Sequence, residues 1–275
     1  MKIFSRTVGG VIVLVLALVT LAGCAQSRAE KPTPDAAKRF LKLRGYDFDA
    51  KSFLRAVAAN DASAVDGFLA AGIDPNIKDE ESGTTALISA ATHDDADIVK
   101  VLLRGGANVN AKDMGGYTAL LRALEKKNDE IAELLLAQPD LEVNAQGFSG
   151  TTALMFYAWG GQEENVQRLL DHGANPNLSD TDGDTALHGA AQSGNVKVLQ
   201  MLLAAGADRN AKNKLGGTAL MWTGVYGHEE AARALIEKGA DAGLRDNKGM
   251  TASAWAARNH RDELSQVLRE AEKKR

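Results

Sequence analysis

The chain has 275 residues, 45% of them apolar and 25% charged, which supplies a sizeable core and excludes a disordered chain. Its 32 basic and 36 acidic side chains leave a net charge of −4 with no long basic run, which argues against a nucleic-acid partner. A single cysteine excludes an internal disulfide and any multi-cysteine zinc or iron-sulfur site.

Residues 1–23 read as an export signal. Lys2 and Arg6 give a positive start, and the apolar run at 11–19 is far shorter than the ~20 residues of a membrane span. The run stops at Leu21, Ala22, Gly23 and Cys24. This pattern resembles the bacterial lipoprotein signal, and the resemblance implies cleavage before Cys24, a thioether-linked diacylglycerol on that cysteine and a mature chain of 252 residues (275 minus 23). Ala25, rather than Asp, follows the cysteine. The resemblance therefore implies the periplasmic face of the outer membrane. Acylation by two or more chains gives stable anchoring where one chain does not.

Residues 24–35 are polar, hold two of the five prolines, and read as the acylated cysteine and a tether. Pro34 and Asp35 are a helix-start signal for a docking helix over 36–45, with Phe40 and Leu41 facing inward and Gly45 ending the pattern.

From there the chain repeats. Thr85, Thr118, Thr152, Thr185, Thr218 and Thr251 stand at intervals of 33, 34, 33, 33 and 33, each followed by alanine. Counting 33 back from Thr85 reaches Ser52, the mark of a degenerate first unit. Glycine precedes each threonine by two, small pairs such as Ala90-Ala91 and Ala190-Ala191 follow it, and leucine pairs such as Leu102-Leu103, Leu169-Leu170 and Leu202-Leu203 come later. This spacing resembles the ankyrin repeat. It implies an all-α solenoid over 46–272, about seven helix-turn-helix units joined by β-hairpin loops, the first and last acting as caps. In physical terms the glycine admits a positive φ at the hairpin tip, the threonine caps a short inner helix, and the small pair lets inner helices approach closely. Val196, Leu199, Leu202 and Leu203 mark the apolar face of an outer helix. An extra residue near 137–144 puts Pro139 where glycine is usual, and Gly243 stands where asparagine is expected in the last turn.

No chemistry emerges from the motifs. The five histidines, at 93, 172, 188, 228 and 260, occupy different repeat positions with no metal-ligand spacing. His188 stands where the ankyrin pattern uses histidine for hydrogen bonding between repeats. The segment 180–184 has its glycine at the wrong place for a calcium loop and no glutamate at the twelfth position. No Gly-x-Ser-x-Gly elbow or phosphate loop occurs. No catalytic residue, metal, cofactor or small-molecule substrate is expected, and an enzyme using His188 is the remote alternative.

Function then falls to surface. Inner-helix positions four, seven and eight after the threonine share a stripe that faces the concave groove, and there stand Phe156, Trp159, Trp222, Val225, Tyr226 and Trp255, with all three tryptophans among them. Hairpin positions add Met114, Tyr117, Phe148, Leu215 and Met250, while Gly189, Gln192 and Ser193 leave a dip between the aromatic units. These rings are either partner-binding surface or filler between repeats. The expected function is a monomeric, non-enzymatic protein-interaction module, lipid-anchored in the cell envelope, that holds a periplasmic protein as scaffold or protective factor for an envelope enzyme. An immunity protein against a periplasm-acting toxic effector is the alternative, and a structural spacer is a third reading that the aromatic groove argues against. Cys24→Ser is expected to abolish acyl labelling and to leave the precursor unprocessed or release the protein to the soluble fraction; unchanged acylation would remove the lipoprotein reading.

Overall fold

The computed structural model describes residues 32–274, so the signal-like segment and Cys24 lie outside the described residues. Among the described residues the chain forms fifteen helices and no strand. The first, α1 (Pro34–Leu43), opens on Thr33, whose hydroxyl accepts the Ala36 N–H, and has proline in its first turn. It packs on α3. Leu41 and Ala37 form its buried face, whereas Phe40, expected inward, lies across the flat spot left by Gly67 and stays 38% exposed.

Seven helix pairs follow: α2 (Ala50–Ala58) with α3 (Ala62–Ala70), α4 (Ala86–His93) with α5 (Ala96–Arg104), α6 (Ala119–Glu125) with α7 (Asp129–Leu136), α8 (Ala153–Gly160) with α9 (Glu163–Asp171), α10 (Ala186–Ser193) with α11 (Val196–Ala204), α12 (Ala219–Tyr226) with α13 (Glu229–Glu237), and α14 (Ala252–Arg258) with α15 (Asp262–Lys273). The inner helices α2, α4, α6, α8, α10, α12 and α14 stack in series, and the outer helices cover them. This is the all-α repeat solenoid that the resemblance to the ankyrin repeat implies.

Five of the seven units start in the same way. Thr85, Thr118, Thr152, Thr218 and Thr251 accept the N–H of Ile88, Leu121, Met155, Met221 and Ala254 through the hydroxyl at 3.3–3.4 Å, satisfying a donor that a helix start leaves free. The first unit departs from this register. Its cap is Asp49, which accepts the Ser52 N–H, so α2 begins before Ser52 instead of after it. The loops turn as hairpins at positive-φ glycines, such as Gly183 at +82°, but only Lys78 with Thr85 and Ser179 with Thr185 register as β bridges among the described residues.

Adjacent tips are joined by backbone bonds, for example Lys214 N–H to Asp182 C=O at 2.9 Å and Asn247 N–H to Leu215 C=O at 3.0 Å. On the opposite turns an asparagine ladder runs along the stack. Asn76, Asn110, Asn144, Asn177 and Asn210 accept, through Oδ1, the N–H of Asn108, Glu142, Asn175, Asp208 and Asp241 in the following unit at 2.7–2.9 Å. The inserted residue near 137–144 does not break it, since Asn110 also donates to the Asp140 carbonyl. Gly243, without a side-chain amide, lies where the ladder stops among the described residues.

Packing is closest where side chains are smallest. Ala90, Ala91, Ala123, Ala158, Ala190, Ala191, Thr223 and Ala256 are buried between inner helices. Tyr157 is the exception among these positions. Its large ring is 3% exposed, its hydroxyl is buried without a partner among the described residues, and burial pushes the phenol pKa up, with Asp129 and Glu133 adding to the shift. The stack is loosest at this joint, between α6 and α8. At the tightest crossing, a methyl on Gly224 would meet the Ala252 carbonyl oxygen at 2.6 Å. Gly224→Ala is therefore expected to cost about 1–3 kcal/mol, the scale of overpacking, whereas Gly160→Ala, whose new methyl meets only the Gln162 side chain at 3.6 Å, leaves stability level or slightly raised. Urea unfolding of the two variants measures the difference.

Candidate functional site

The aromatic stripe lies on three inner helices of the C-terminal half. On α8, Phe156 and Trp159 meet edge to face with ring centroids 6.4 Å apart. On α12, Trp222 and Tyr226 lie 5.9 Å apart, and Tyr226 stacks on His228 at 6.2 Å. On α14, Trp255 donates its indole N–H to Asp246 Oδ2 at 2.8 Å. Burial pushes the Asp246 carboxyl up, but N–H donation from Met250, Trp255 and Lys248 outweighs it and holds the group below the ordinary carboxylate range. Asp246 thus fixes both its own hairpin and the Trp255 ring.

The two alternatives for these rings prove not to exclude one another. Phe156, Trp159, Trp222 and Trp255 are half-buried against the core, and Tyr226 is 41% exposed. The dip expected at Gly189 is filled: Trp159 leans across it, so that any side chain added at Gly189 would collide with the indole. Gln192 and Ser193 remain exposed beside it. Ring pairs form within units, so Trp159 and Trp222 do not touch as one cluster; the structure instead brings Trp222 together with Trp255. Those two indoles, with Leu215, Met221 and Val225, line an apolar cavity of about 190 Å³ that opens between α12, α14 and two hairpins.

Of the hairpin candidates, Phe148 and Leu215 stand 80% and 68% exposed, as does Met114 at 71%. Tyr117 is half-buried under the Arg122 guanidinium, whose carbon lies 4.1 Å from its ring centroid. Arg122 also holds Asp113 at 2.6 Å and Glu125 at 2.9 Å. Burial opposes its charge, yet these carboxylates raise its pKa above the ordinary value. Arg122 occupies the fourth stripe position in its unit, so the register contained the signal, but a search for aromatic residues passed over it. The same holds for Arg258, at the seventh position, which with Lys248 flanks Trp255 at 5.4 and 5.8 Å.

His188 is buried and structural in its bonding. Its Nδ1 accepts from the Thr185 N–H at 3.1 Å and meets the Thr185 hydroxyl at 3.0 Å, while Nε2 faces the Gly217 carbonyl of the next hairpin at 3.1 Å. The Thr185 hydroxyl and N–H are thus both tied to the histidine in a capping box at the start of α10. Burial lowers the His188 pKa, against the opposing pull of Asp184 and the Gly217 carbonyl. Asp180, in the acidic hairpin, accepts the N–H groups of Asp182 and Asp184 at 2.9 Å. That is turn chemistry.

The family profile described as "Ankyrin repeats (3 copies)" matches residues 53–147, 139–213 and 202–275. Among solved structures, an ankyrin repeat domain from Acinetobacter baumannii is 29% identical, with 67% of this chain and 96% of that one covered and a TM-score of 0.61. The ankyrin repeat domain of Bcl-3, an IκB-family protein, is 28% identical over 79% of this chain and 97% of its own, with a TM-score of 0.65. No curated protein matches the chain significantly.

His188→Asn is expected to cost about 1 kcal/mol, the scale of one lost buried hydrogen bond, and to leave biological activity within a few-fold. The sign of its pH effect follows from burial. Below about pH 6.5 the unfolded histidine takes up a proton that the native one resists, so this residue makes stability fall as the pH drops through that value toward the lower native pKa. Urea unfolding of parent and variant at several pH values reads both effects; a difference between them that does not change with pH would contradict the buried neutral imidazole.

Proposed function

The chain belongs to the ankyrin-repeat family, and on that premise we propose that it is a non-enzymatic interaction module, held in the bacterial cell envelope by a lipid on Cys24, that binds a periplasmic protein through its concave groove and hairpin tips. Ankyrin repeats generally mediate protein–protein contact. The observation that carries the reading further is the placement of the rings: Phe156, Trp159, Trp222, Tyr226 and Trp255 all fall on the groove stripe of the C-terminal half, where the corresponding positions of the N-terminal half hold Ser89, Thr92, His93, Arg122, Glu125 and Lys126. A stack needs no such asymmetry for its own stability. Large, stiff aromatic side chains bury much area while freezing few rotors, which is why they dominate interface hot spots. Phe148 and Leu215 extend the surface to the tips. On this reading the protein is a scaffold or protective factor for an envelope enzyme; a toxin encoded beside it and very tight affinity would mark the immunity role instead.

The rings separate by exposure. Tyr226→Ala is expected to weaken partner binding by about 2 kcal/mol, a factor of about thirty, with little change in the unfolding midpoint. Trp159→Ala and Trp222→Ala are expected to lose as much binding and, because half of each indole is core, up to about 3–5 kcal/mol of stability. The partner is captured by cross-linking pull-down from envelope fractions, and its affinity is measured for each folded variant. Full affinity in all three would defeat the groove reading.

A further inference from the structure

The cavity between Trp222 and Trp255 has a chemistry of its own. Its walls are apolar: Leu215 from one hairpin, Met221, Trp222 and Val225 from α12, and Trp255 from α14. Its volume of about 190 Å³ exceeds the roughly 150 Å³ in which an apolar cavity takes up a benzene ring. It therefore has room for one large aliphatic or aromatic side chain. The Trp222 indole N–H is buried with no partner among the described residues.

Two cations stand beside Trp255, Lys248 in the cavity lining and Arg258 next to it. Lys248 and Arg258 are exposed, lie 5.8 and 5.4 Å from the centroid of Trp255, and form no ion pair among the described residues. The one carboxylate in the lining, Asp246, is already bonded to the Lys248 and Met250 N–H groups and to the Trp255 indole. Lys248 and Asp246 attract one another, so with Arg258 two cations face one carboxylate here, an excess of positive charge in a chain whose net charge is −4. The chain's own N-terminal segment does not complement it, because residues 1–31 carry Lys2, Arg6, Arg28 and Lys31 against Glu30 alone.

We propose that this notch is the specificity pocket of the groove and receives a large apolar side chain from a partner protein segment in which acidic residues flank that side chain. The apolar group enters between the two indoles, and the flanking carboxylates meet Lys248 and Arg258. The inference rests on the groove being the protein-binding surface. Apolar burial supplies affinity, while the rim charges supply orientation and discrimination against basic segments.

The test uses the full-length chain in detergent micelles and a phage-displayed random peptide library as probe. Enriched peptides are expected to carry Asp or Glu within two positions of Leu, Phe or Trp. Synthetic versions should lose about tenfold in affinity when Lys248 and Arg258 are both changed to Glu, with the loss shrinking in high salt, and should keep affinity in the Lys248→Arg, Arg258→Lys pair. Leu215→Asp, on an exposed tip that the fold tolerates, should also abolish binding, which keeps the test open if Trp222→Ser unfolds. A neutral or basic consensus, no enrichment, or indifference to the double charge reversal would overturn the proposal. If binding is lost with Trp222→Ser yet ignores the rim charges, the groove reading stands and the acidic-segment inference alone falls; if the peptides bind Trp222→Ser, Tyr226→Ala and Leu215→Asp as they bind the parent, both fall. Self-association that depends on Trp222, seen by sedimentation, would replace the partner with a second copy and overturn it as well.

Discussion

No unit of this protein can bury its own apolar face, and every other feature follows from that constraint. Two short helices expose leucines and alanines on one side, and only the neighbouring unit hides them. Close stacking makes the burial effective, so the surface between inner helices is built from alanine and, at the tightest crossing, from Gly224. Where a large side chain takes such a place, as Tyr157 does, the neighbouring helices stand apart and a hydroxyl is left without a partner among the described residues.

Stacking also leaves polar backbone groups in register, and the chain satisfies them in register. Threonine hydroxyls take helix N–H groups, asparagine side chains take the turn of the following unit, and tip backbones bond to one another. His188 belongs to the same set, since it links the start of α10 to the hairpin before α12. Because these bonds are short and directional, they fix the rotation between units. The groove is thereby pre-shaped, and a partner binding there does not have to order it.

On that scaffold the two halves of the groove differ in chemistry. The N-terminal half presents Arg122 locked by Asp113 and Glu125 over Tyr117, a polar cluster whose charges answer one another. The C-terminal half presents rings, and beside Trp255 two cations, Lys248 and Arg258, face the single carboxylate of Asp246. Internally satisfied charge resists further contact, whereas apolar rings beside an excess of positive charge favour it. The difference in local chemistry, not the fold, is what directs the functional reading to α8, α12 and α14.

The period of 33, the capping threonines and the tip glycines were legible in the sequence because each depends on contacts within a few residues, repeated until the pattern stands above chance. Through the resemblance to the ankyrin repeat that they carry, the all-α solenoid followed, and the stripe positions of Phe156, Trp159, Trp222, Tyr226 and Trp255 with it. Contacts across units decided the rest. Whether Phe40 or Ala37 faces inward depends on the surface of α3, the filling of the Gly189 dip depends on how Trp159 leans from the preceding helix, and the early start of α2 depends on Asp49 capping ahead of Ser52. The pairing of Trp222 with Trp255, instead of with Trp159, is likewise a matter of which helices leave a gap. Local sequence sets which residues a unit presents; the spacing of the stacked neighbours, fixed by side-chain volume at the joints, sets which of them meet.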